Sequence, residues 1–185
     1  DINLALGNVT VSNLVLRADS NVYRQLESVK KAPDNRFQIE VSKLKFRNFS
    51  IKDMLMNKEL YLKNVVLDTP IIHMINEYHS YNDTASTEVK KPLYDKIKNT
   101  LKRIQISGIA LNGVNFKYSQ LQKNIYQDFE LKKVNIKIQD VLVDSTSILD
   151  VSRFYHTKMV DIEVPGFTYK TSDGFYKINF DKLKI

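Results

Sequence analysis

Leu60-Tyr61-Leu62-Lys63-Asn64-Val65-Val66-Leu67 carries the pattern that decides how this chain folds. Its apolar residues fall at Leu60, Leu62, Val65 and Leu67, two pairs separated by two middle residues. Written Φ-x-Φ-x-x-Φ-x-Φ, with Φ apolar or aromatic, the template recurs. Copies lie at Leu4, Leu6, Val9, Val11 and at Ile39, Val41, Leu44, Phe46. Further copies lie at Ile104, Ile106, Ile109, Leu111 and at Phe129, Leu131, Val134, Ile136. The last two are Ile162, Val164, Phe167, Tyr169 and Ile178, Phe180, Leu183, Ile185.

On a helix these offsets scatter around the wheel and make no single face. On an ideal strand the two pairs would point to opposite sides, because side chains alternate. One extra residue between the pairs, a β-bulge, returns both to one side. The middle residues suit a break in the ladder: Gly7-Asn8, Ser42-Lys43, Lys63-Asn64, Ser107-Gly108, Lys132-Lys133, Pro165-Gly166 and Asp181-Lys182. A strand that crosses between two packed sheets, or two short strands joined by a kink, satisfies the same spacing.

Between the copies the signals change. Val22, Leu26 and Val29 have helical spacing within 20–31, and Ser50-Ile51-Lys52-Asp53 resembles a capping box with Asp53 in place of glutamate. Pro70 opens a strand through Ile71-Ile72-His73-Met74-Ile75. Residues 77–91 lose periodicity, turn polar and read as an exposed, flexible loop. Pro92 suits a first helical turn, and Leu93, Ile97 and Leu101 make one stripe beside Lys96, Lys98, Lys102 and Arg103, so an amphipathic helix is expected over 92–103. It packs on the sheet, or it meets a membrane surface through Leu93, Ile97, Leu101, Lys98 and Lys102. Asn112-Gly113 is a turn signal ahead of Val114, Phe116 and Tyr118, which predicts a hairpin. Ser147-Ile148-Leu149-Asp150 starts a short helix, and Ser172-Asp173-Gly174 turns between the final strands.

Composition bounds the class. The 185 residues are 43% hydrophobic and 26% charged, a globular balance. Five glycines and four prolines exclude collagenous and proline-rich classes. With no cysteine, disulfides, zinc-thiolate sites and thiol nucleophiles are excluded. The net charge of +7 comes mainly from dispersed lysines, a solvated face first and an affinity for anionic membranes second. No apolar run approaches the ~20 residues of a bilayer span. No signal peptide is present and strand-like sequence begins at Ile2, as in a matured chain or a segment of a longer protein.

The search for chemistry points away from an enzyme. His73, His79 and His156 lack the spacing of metal ligands, and His73 lies in an apolar strand. His79 sits in the polar loop, where a solvated turn is expected. Asp140 and Asp144 form no assignable acid/base pair. Ser145-Thr146-Ser147 offers hydroxyls with no adjacent base and reads as a helix start. There is no GxSxG, P-loop or GxGxxG. No catalytic, metal or cofactor site is expected. Lysine–tyrosine alternation around Phe116-Lys117-Tyr118 arises in any basic β protein, so no nucleic-acid partner is expected either.

The run from Ile39 to Leu55, followed by Leu60 to Ile75 with its Leu67-Asp68-Thr69-Pro70-Ile71-Ile72 step and a polar loop from Asn76, resembles the N-terminal part of AsmA-like bacterial envelope proteins. Ile104 to Tyr118 and Phe129 to Ile138 are similar to the same family, relatives of which include TamB and YhdP. The resemblance is one of pattern and covers most of the chain from about residue 37. It implies a β-sheet curled into a groove with an apolar interior, a periplasmic location in an inner-membrane-anchored protein, and a part in phospholipid movement or outer-membrane maintenance. It brings no catalytic residues. Its partners would be acyl chains, a membrane surface or an envelope protein.

The expected fold is therefore one β-rich domain over 1–185, a curved antiparallel or mixed sheet, groove- or sandwich-like, with a few short helices. Its apolar face would be built from Leu60, Leu62, Val65, Leu67, Ile104, Ile106, Ile109, Leu111, Phe129, Leu131, Val134 and Ile136. The alternative is a β-rich scaffold or interaction module that closes its own core and holds no lipid.

Overall fold

A computed structural model describes residues 2–3, 7–83, 92–122, 125–171 and 174–185. The chain is mainly β, with short helices and a mixed, largely antiparallel sheet. In chain order the elements are β1 (Ile2–Asn3), β2 (Asn8–Arg17), α1 (Ser20–Ser28), β3 (Asn35–Arg47), α2 (Ile51–Asn57), β4 (Glu59–Asp68) and β5 (Ile71–Glu77). They continue as α3 (Leu93–Ile97), β6 (Arg103–Gln122), β7 (Ile125–Val143), β8 (Met159–Val164), β9 (Phe167–Lys170), β10 (Lys177–Phe180) and β11 (Leu183–Lys184). Single 3-10 turns lie at Ser80–Asn82 and Ser147–Leu149. Local chemistry sets the helix starts. Asp19 accepts the N–H groups of Asn21 and Val22, and Ser50 Oγ accepts that of Asp53. Asp53 turns its own carboxylate to Asn57, so only half of the capping box forms.

The main sheet runs β1-β2-β3-β4-β6-β7-β8-β11, and β5 extends β4 between β3 and β6. β4 and β5 lie parallel to β6 at one constant offset, from Glu59↔Arg103 to Asp68↔Asn112 and from Ile71↔Asn115 to Glu77↔Leu121. They are one strand interrupted at Thr69-Pro70, where Pro70 has no N–H to give to a ladder. The other pairings of the main sheet are antiparallel.

A crease crosses the sheet at the interruption. Asn13 on β2, Thr69 at the β4–β5 break, Gly113 on β6, Lys133 on β7 and Gly166 at the β8–β9 break all have positive φ, while β3 crosses the line at Ser42 without one. Thr69 is β-branched, a costly residue to hold there. Its N–H donates to Asn112 O at 2.8 Å, and its hydroxyl lies 3.3 Å from Ser42 Oγ. Val41, Pro70, Val114, Val134 and Val164 sit along this line and are among the most buried side chains. Val114, Val134 and Val164 form the core cluster, with Ile72, Leu111, Phe116, Leu131, Ile136, Ile162 and Phe180 against it. One template length away, Gly7, Asn48 and Asp140 again have positive φ, and the ladder skips Lys63 and Ser107. Leu62 and Val65 flank this second line and are both buried, although an odd spacing would separate them on a regular strand.

The middle-residue expectation resolves differently from copy to copy. Lys132-Lys133 is a bulge, with a register shift between Val114↔Val134 and Phe116↔Leu131. At Pro165-Gly166 and Asp181-Lys182 two paired strands kink together. Leu183↔Val164 and Phe180↔Phe167 keep one register, but β9 and β10 leave as a separate two-stranded sheet. Leu4 and Leu6 lie outside the described residues.

Three expectations need correction. Asn112-Gly113 is not a hairpin turn. β6 runs straight through it, because Gly113 N–H bonds Asn135 Oδ1 and Asn112 O bonds Thr69 N–H, so both neighbours keep hold of the strand. The helix expected over 92–103 covers only Leu93–Ile97. Lys102 N–H donates to Lys58 O at 2.7 Å and Arg103 already pairs with Glu59, so pairing with β4 ends the helix early. The loop expected over 77–91 is anchored where it is described. Glu77 closes β5, Ser80–Asn82 is a 3-10 turn, and Asn82 Nδ2 bonds Asp34 Oδ1 and Ala32 O. Residues 84–91, like Ser172-Asp173, lie outside the described residues.

Candidate functional site

Apolar residues, most of them from the template, stand opposite one another across the sheet. One row reads Val11, Leu44, Leu67, Leu111, Ile136, Ile162, each directly paired with the next. A second reads Val9, Phe46, Val65, Ile109, Ile138, Val160. A third reads Leu16, Ile39, Ile72, Phe116, Leu131. At ~4.8 Å per strand step, a six-strand row is about 24 Å long. Cross-strand apolar pairs of this kind are what stabilise a sheet face.

The twelve residues expected on this face all fall into such pairings: Leu60↔Ile104, Leu62↔Ile106, Val65↔Ile109, Leu67↔Leu111↔Ile136, with Val134 opposite Val114, Leu131 opposite Phe116 and Phe129 opposite Tyr118. Leu62, Val65 and Val134 are buried, and the other nine are half-buried. Among the described residues nine hydrophobic side chains and Pro70 are buried, and the half-burial of the rest of this face leaves it partly open there. Of the named helices, α2 lies beside β4, and α1 reaches β3 and β5 through Tyr23. The β9–β10 hairpin covers one corner, where Phe167 meets Phe129 and Phe180 at 5.3 Å between ring centres.

The alternate positions make a polar face. Lys45 Nζ lies 2.7 Å from Asp68, and Asn112 Nδ2 donates to the same carboxylate. These bonds, the lysine's first, hold the Asp68 carboxyl below its ordinary range. A depression of 450 Å³ is lined by Asn112, Asn135, Lys137, Asp161, Glu163 and Lys184 together with Ile162 and Ile185. A smaller one, 150 Å³, includes Val65, Ile109 and Ile138 of the apolar rows in its lining.

The helix residues come together less completely. Leu93 is exposed, Ile97 and Leu101 are half-buried, and Lys98 pairs with Asp95 at 2.8 Å. Lys102 is exposed, beyond the helix end.

Compared with known proteins, the chain matches no family model and no curated protein.

Two polar clusters were not legible in the sequence. His73 on β5, Ser119 on β6 and Asp128 on β7 line up across three strands. His73 Nε2 lies 2.8 Å from Ser119 Oγ, which donates to Asp128 Oδ1 at 2.6 Å; Lys117 reaches the same carboxylate at 2.7 Å. Serine has one proton, and Asp128 takes it, so His73 is the donor to Ser119. A histidine that donates to the serine cannot act as its base, and Ser119 is 2% exposed. The trio braces β5, β6 and β7. Burial, then the Lys117 charge, pushes the His73 pKa down, while Lys117 and Ser119 hold Asp128 low.

The second cluster ties α1 to the opposite ends of β3 and β5. Tyr23 OH lies 2.9 Å from His79 Nε2, Arg36 caps the Tyr23 ring at 4.1 Å, and Arg36 pairs with Glu77 at 2.7 Å. His79 stacks on Tyr81 and its N–H bonds Asp34, which corrects the solvated turn expected for it. Burial pushes the Tyr23 hydroxyl up to about 12, against the lowering effect of Arg36 and with the help of Glu77.

Proposed function

We propose that this chain is a non-enzymatic lipid-accommodating module whose apolar sheet face holds phospholipid acyl chains, in the manner of AsmA-like envelope proteins. One observation carries the reading: two rows of apolar side chains run unbroken across six strands, and all of them but Val65 remain half-buried. Such a face needs a cover. Each methylene transferred from water is worth ~0.8 kcal/mol, so an acyl chain lying along a row gains affinity without polar contacts. The pattern-level resemblance supports a periplasmic setting beside the bacterial inner membrane for this activity.

The test is extraction of the purified chain into organic solvent and mass spectrometry of the extract. Phospholipid retained through purification supports the reading; its absence at every detergent-free preparation removes it.

A second reading, a β-rich scaffold, draws on β2. Its outer half is exposed from Ser12 to Arg17, including Leu14 and Leu16, and Arg17 is its one charged residue. Such an edge can accept an added strand from a protein partner. An extract free of lipid, together with saturable binding of an extended peptide that Leu14→Lys abolishes, would favour it.

A further inference from the structure

The end of the sheet where β4 and β6 begin and β7 ends carries a separate apolar surface. α2 leads into β4 there, α3 leads into β6, and the 144–158 segment follows β7. Leu55, Met56, Leu149, Val151, Phe154 and Tyr155 are between 70% and 102% exposed. They come from two different segments that the topology gathers at one end. Arg103 ties that end together through Asp144 at 3.1 Å.

The aromatic tip is held rigid. Phe154 and Thr157 exchange backbone hydrogen bonds at 2.8 and 2.9 Å, a two-residue turn whose central residues, Tyr155 and His156, both have positive φ. Such turns normally hold Asn-Gly, so two bulky residues are retained here against their conformational preference. Arg153, with its side chain 7% exposed, anchors the turn to Asp150 and to Asp140. The result aims two exposed rings, set edge to face at 4.9 Å, away from the sheet.

The unpaired charge at this end is net positive, four lysines against Asp53 and Glu59. Lys52, Lys58, Lys96 and Lys102 are exposed and form no ion pair among the described residues. Most acids nearby are paired with cations, Asp95 with Lys98, Asp144 with Arg103, Asp140 and Asp150 with Arg153, whereas Glu59 and Asp53 accept only from the Tyr61 hydroxyl and Asn57 Nδ2 and keep their charge. Exposed apolar tips rimmed by free lysines match a flat anionic surface, where rings enter the head-group boundary and ammonium groups meet phosphates.

We propose that this end docks on an anionic phospholipid bilayer, with Phe154 and Tyr155 entering the interface and the four lysines facing the head groups. The proposal deepens the lipid reading by naming where the module would touch its lipid source. It would stand on the same surface if the acyl-chain reading failed.

The chain has no tryptophan, so Tyr155→Trp places a single, selectively excited tryptophan at the tip. With vesicles of phosphatidylcholine plus roughly 30 mol% phosphatidylglycerol, its emission should shift to the blue and be quenched by brominated acyl chains, and added salt should weaken both. Joint Lys52→Gln, Lys58→Gln, Lys96→Gln and Lys102→Gln should weaken vesicle binding by about tenfold or more. Emission that stays water-like on anionic vesicles at low salt overturns the proposal. So does a blue shift that grows with protein concentration in the absence of vesicles, which would assign the tip to a second copy of the chain. The joint Phe154→Ser and Tyr155→Ser variant, checked for native circular dichroism, should lose vesicle binding while keeping any co-purified phospholipid. Loss of the phospholipid with vesicle binding intact would overturn it in turn.

Discussion

Val114 on β6 stands directly opposite Val134 on β7, at the point where the register between those two strands shifts on both sides. Each shift is a bulge, one spent on Asn112-Gly113 and one on Lys132-Lys133, and together they restore the original alignment by Phe116↔Leu131. The two valines, 2% and 4% exposed, are what the bulges bring face to face. Val134→Ala should therefore cost about 1–3 kcal/mol, read as a lower urea midpoint at unchanged slope, because neighbouring strands pinned by pairing cannot collapse into the space. A midpoint within error of wild type would mean the cluster is not packed.

The left-handed positions along the creases make opposite predictions for glycine and for side chains. Lys133 has φ of 58°, so Lys133→Gly should stabilise or be neutral, up to about 1 kcal/mol, once its relief of backbone strain is set against glycine's greater freedom when unfolded. Gly113→Ala should cost about 1–2 kcal/mol from conformation alone, since the added carbon meets only Thr69 Cγ2 at 3.7 Å. Gly7→Ala should cost more, because its added carbon would sit 2.8 Å from Phe49 O. Thermal melts of the three variants give the order directly. Equal losses at Gly7 and Gly113 would show that the close approach at Gly7 relaxes freely.

The periodicity of the sheet was legible because paired strands carry the same spacing, but its extent was not. Val9-Val11-Leu14-Leu16 and Ile136-Ile138-Val141-Val143 follow the same template and pair with it, so the pattern is continuous along strands rather than confined to isolated copies. A local reading stops at Asn112-Gly113, where the residues favour a turn; only pairing on both sides keeps that backbone extended. The helix at Leu93 was overextended for the same reason, since a side-chain stripe carries no information about where a neighbouring strand takes the backbone over. His73, Ser119 and Asp128 are far apart in sequence and meet through register alone.

That trio also gives the acid limb of stability. Asp128, Asp68 and Asp144 are held below their ordinary range. At Asp144 burial pushes upward, but the Thr146 hydroxyl, the Thr146 and Ser147 N–H groups and Arg103 outweigh it. A carboxylate depressed in the folded state adds stability above its unfolded value of about 3.9, which is lost as pH falls through the lower folded value. His73 is depressed too, so the fold favours its neutral form; that contribution is present above about 6.5 and fades as pH drops through its folded value. Urea midpoints should first decline below about pH 6.5 and fall more steeply below about 4. A His73→Gln variant should lose the first step only. If it follows the wild-type curve between neutrality and pH 5, His73 is not the group responsible.

Tyr23 governs the alkaline side. Its hydroxyl is raised to about 12, so the neutral form is the one the fold prefers. The stability tied to it is complete below the unfolded value of about 10 and is lost as pH rises through about 12. Ionisation followed by ultraviolet absorbance should show a late-titrating group of tyrosines, since the Asp83 hydrogen bond raises Tyr78 and burial raises Tyr81 as well, and Tyr23→Phe should remove one tyrosine from it. A difference spectrum unchanged by that substitution would detach the late titration from the α1 cluster.

Ile106→Asp and Leu131→Asp separate an open lipid-holding face from a closed core. Both residues are half-buried and sit in apolar rows, Ile106 between Leu62 and Val141, Leu131 opposite Phe116. In a closed core a carboxylate at either place has no partner, and the loss should be several kcal/mol, with melting collapsed or expression failing. On an open face the carboxylate reaches water at the edge of the row, and the loss should be nearer 1–2 kcal/mol. The acyl chain that covered the row would then meet a charge, so phospholipid content should fall far more than stability does. Lys137→Glu, at an exposed position on the opposite side of the sheet, should change neither quantity. Collapse of both aspartate variants alongside a lipid-free wild type would assign the rows to an internal core. Retention of wild-type melting and wild-type lipid by both would mean that the rows neither pack nor bind.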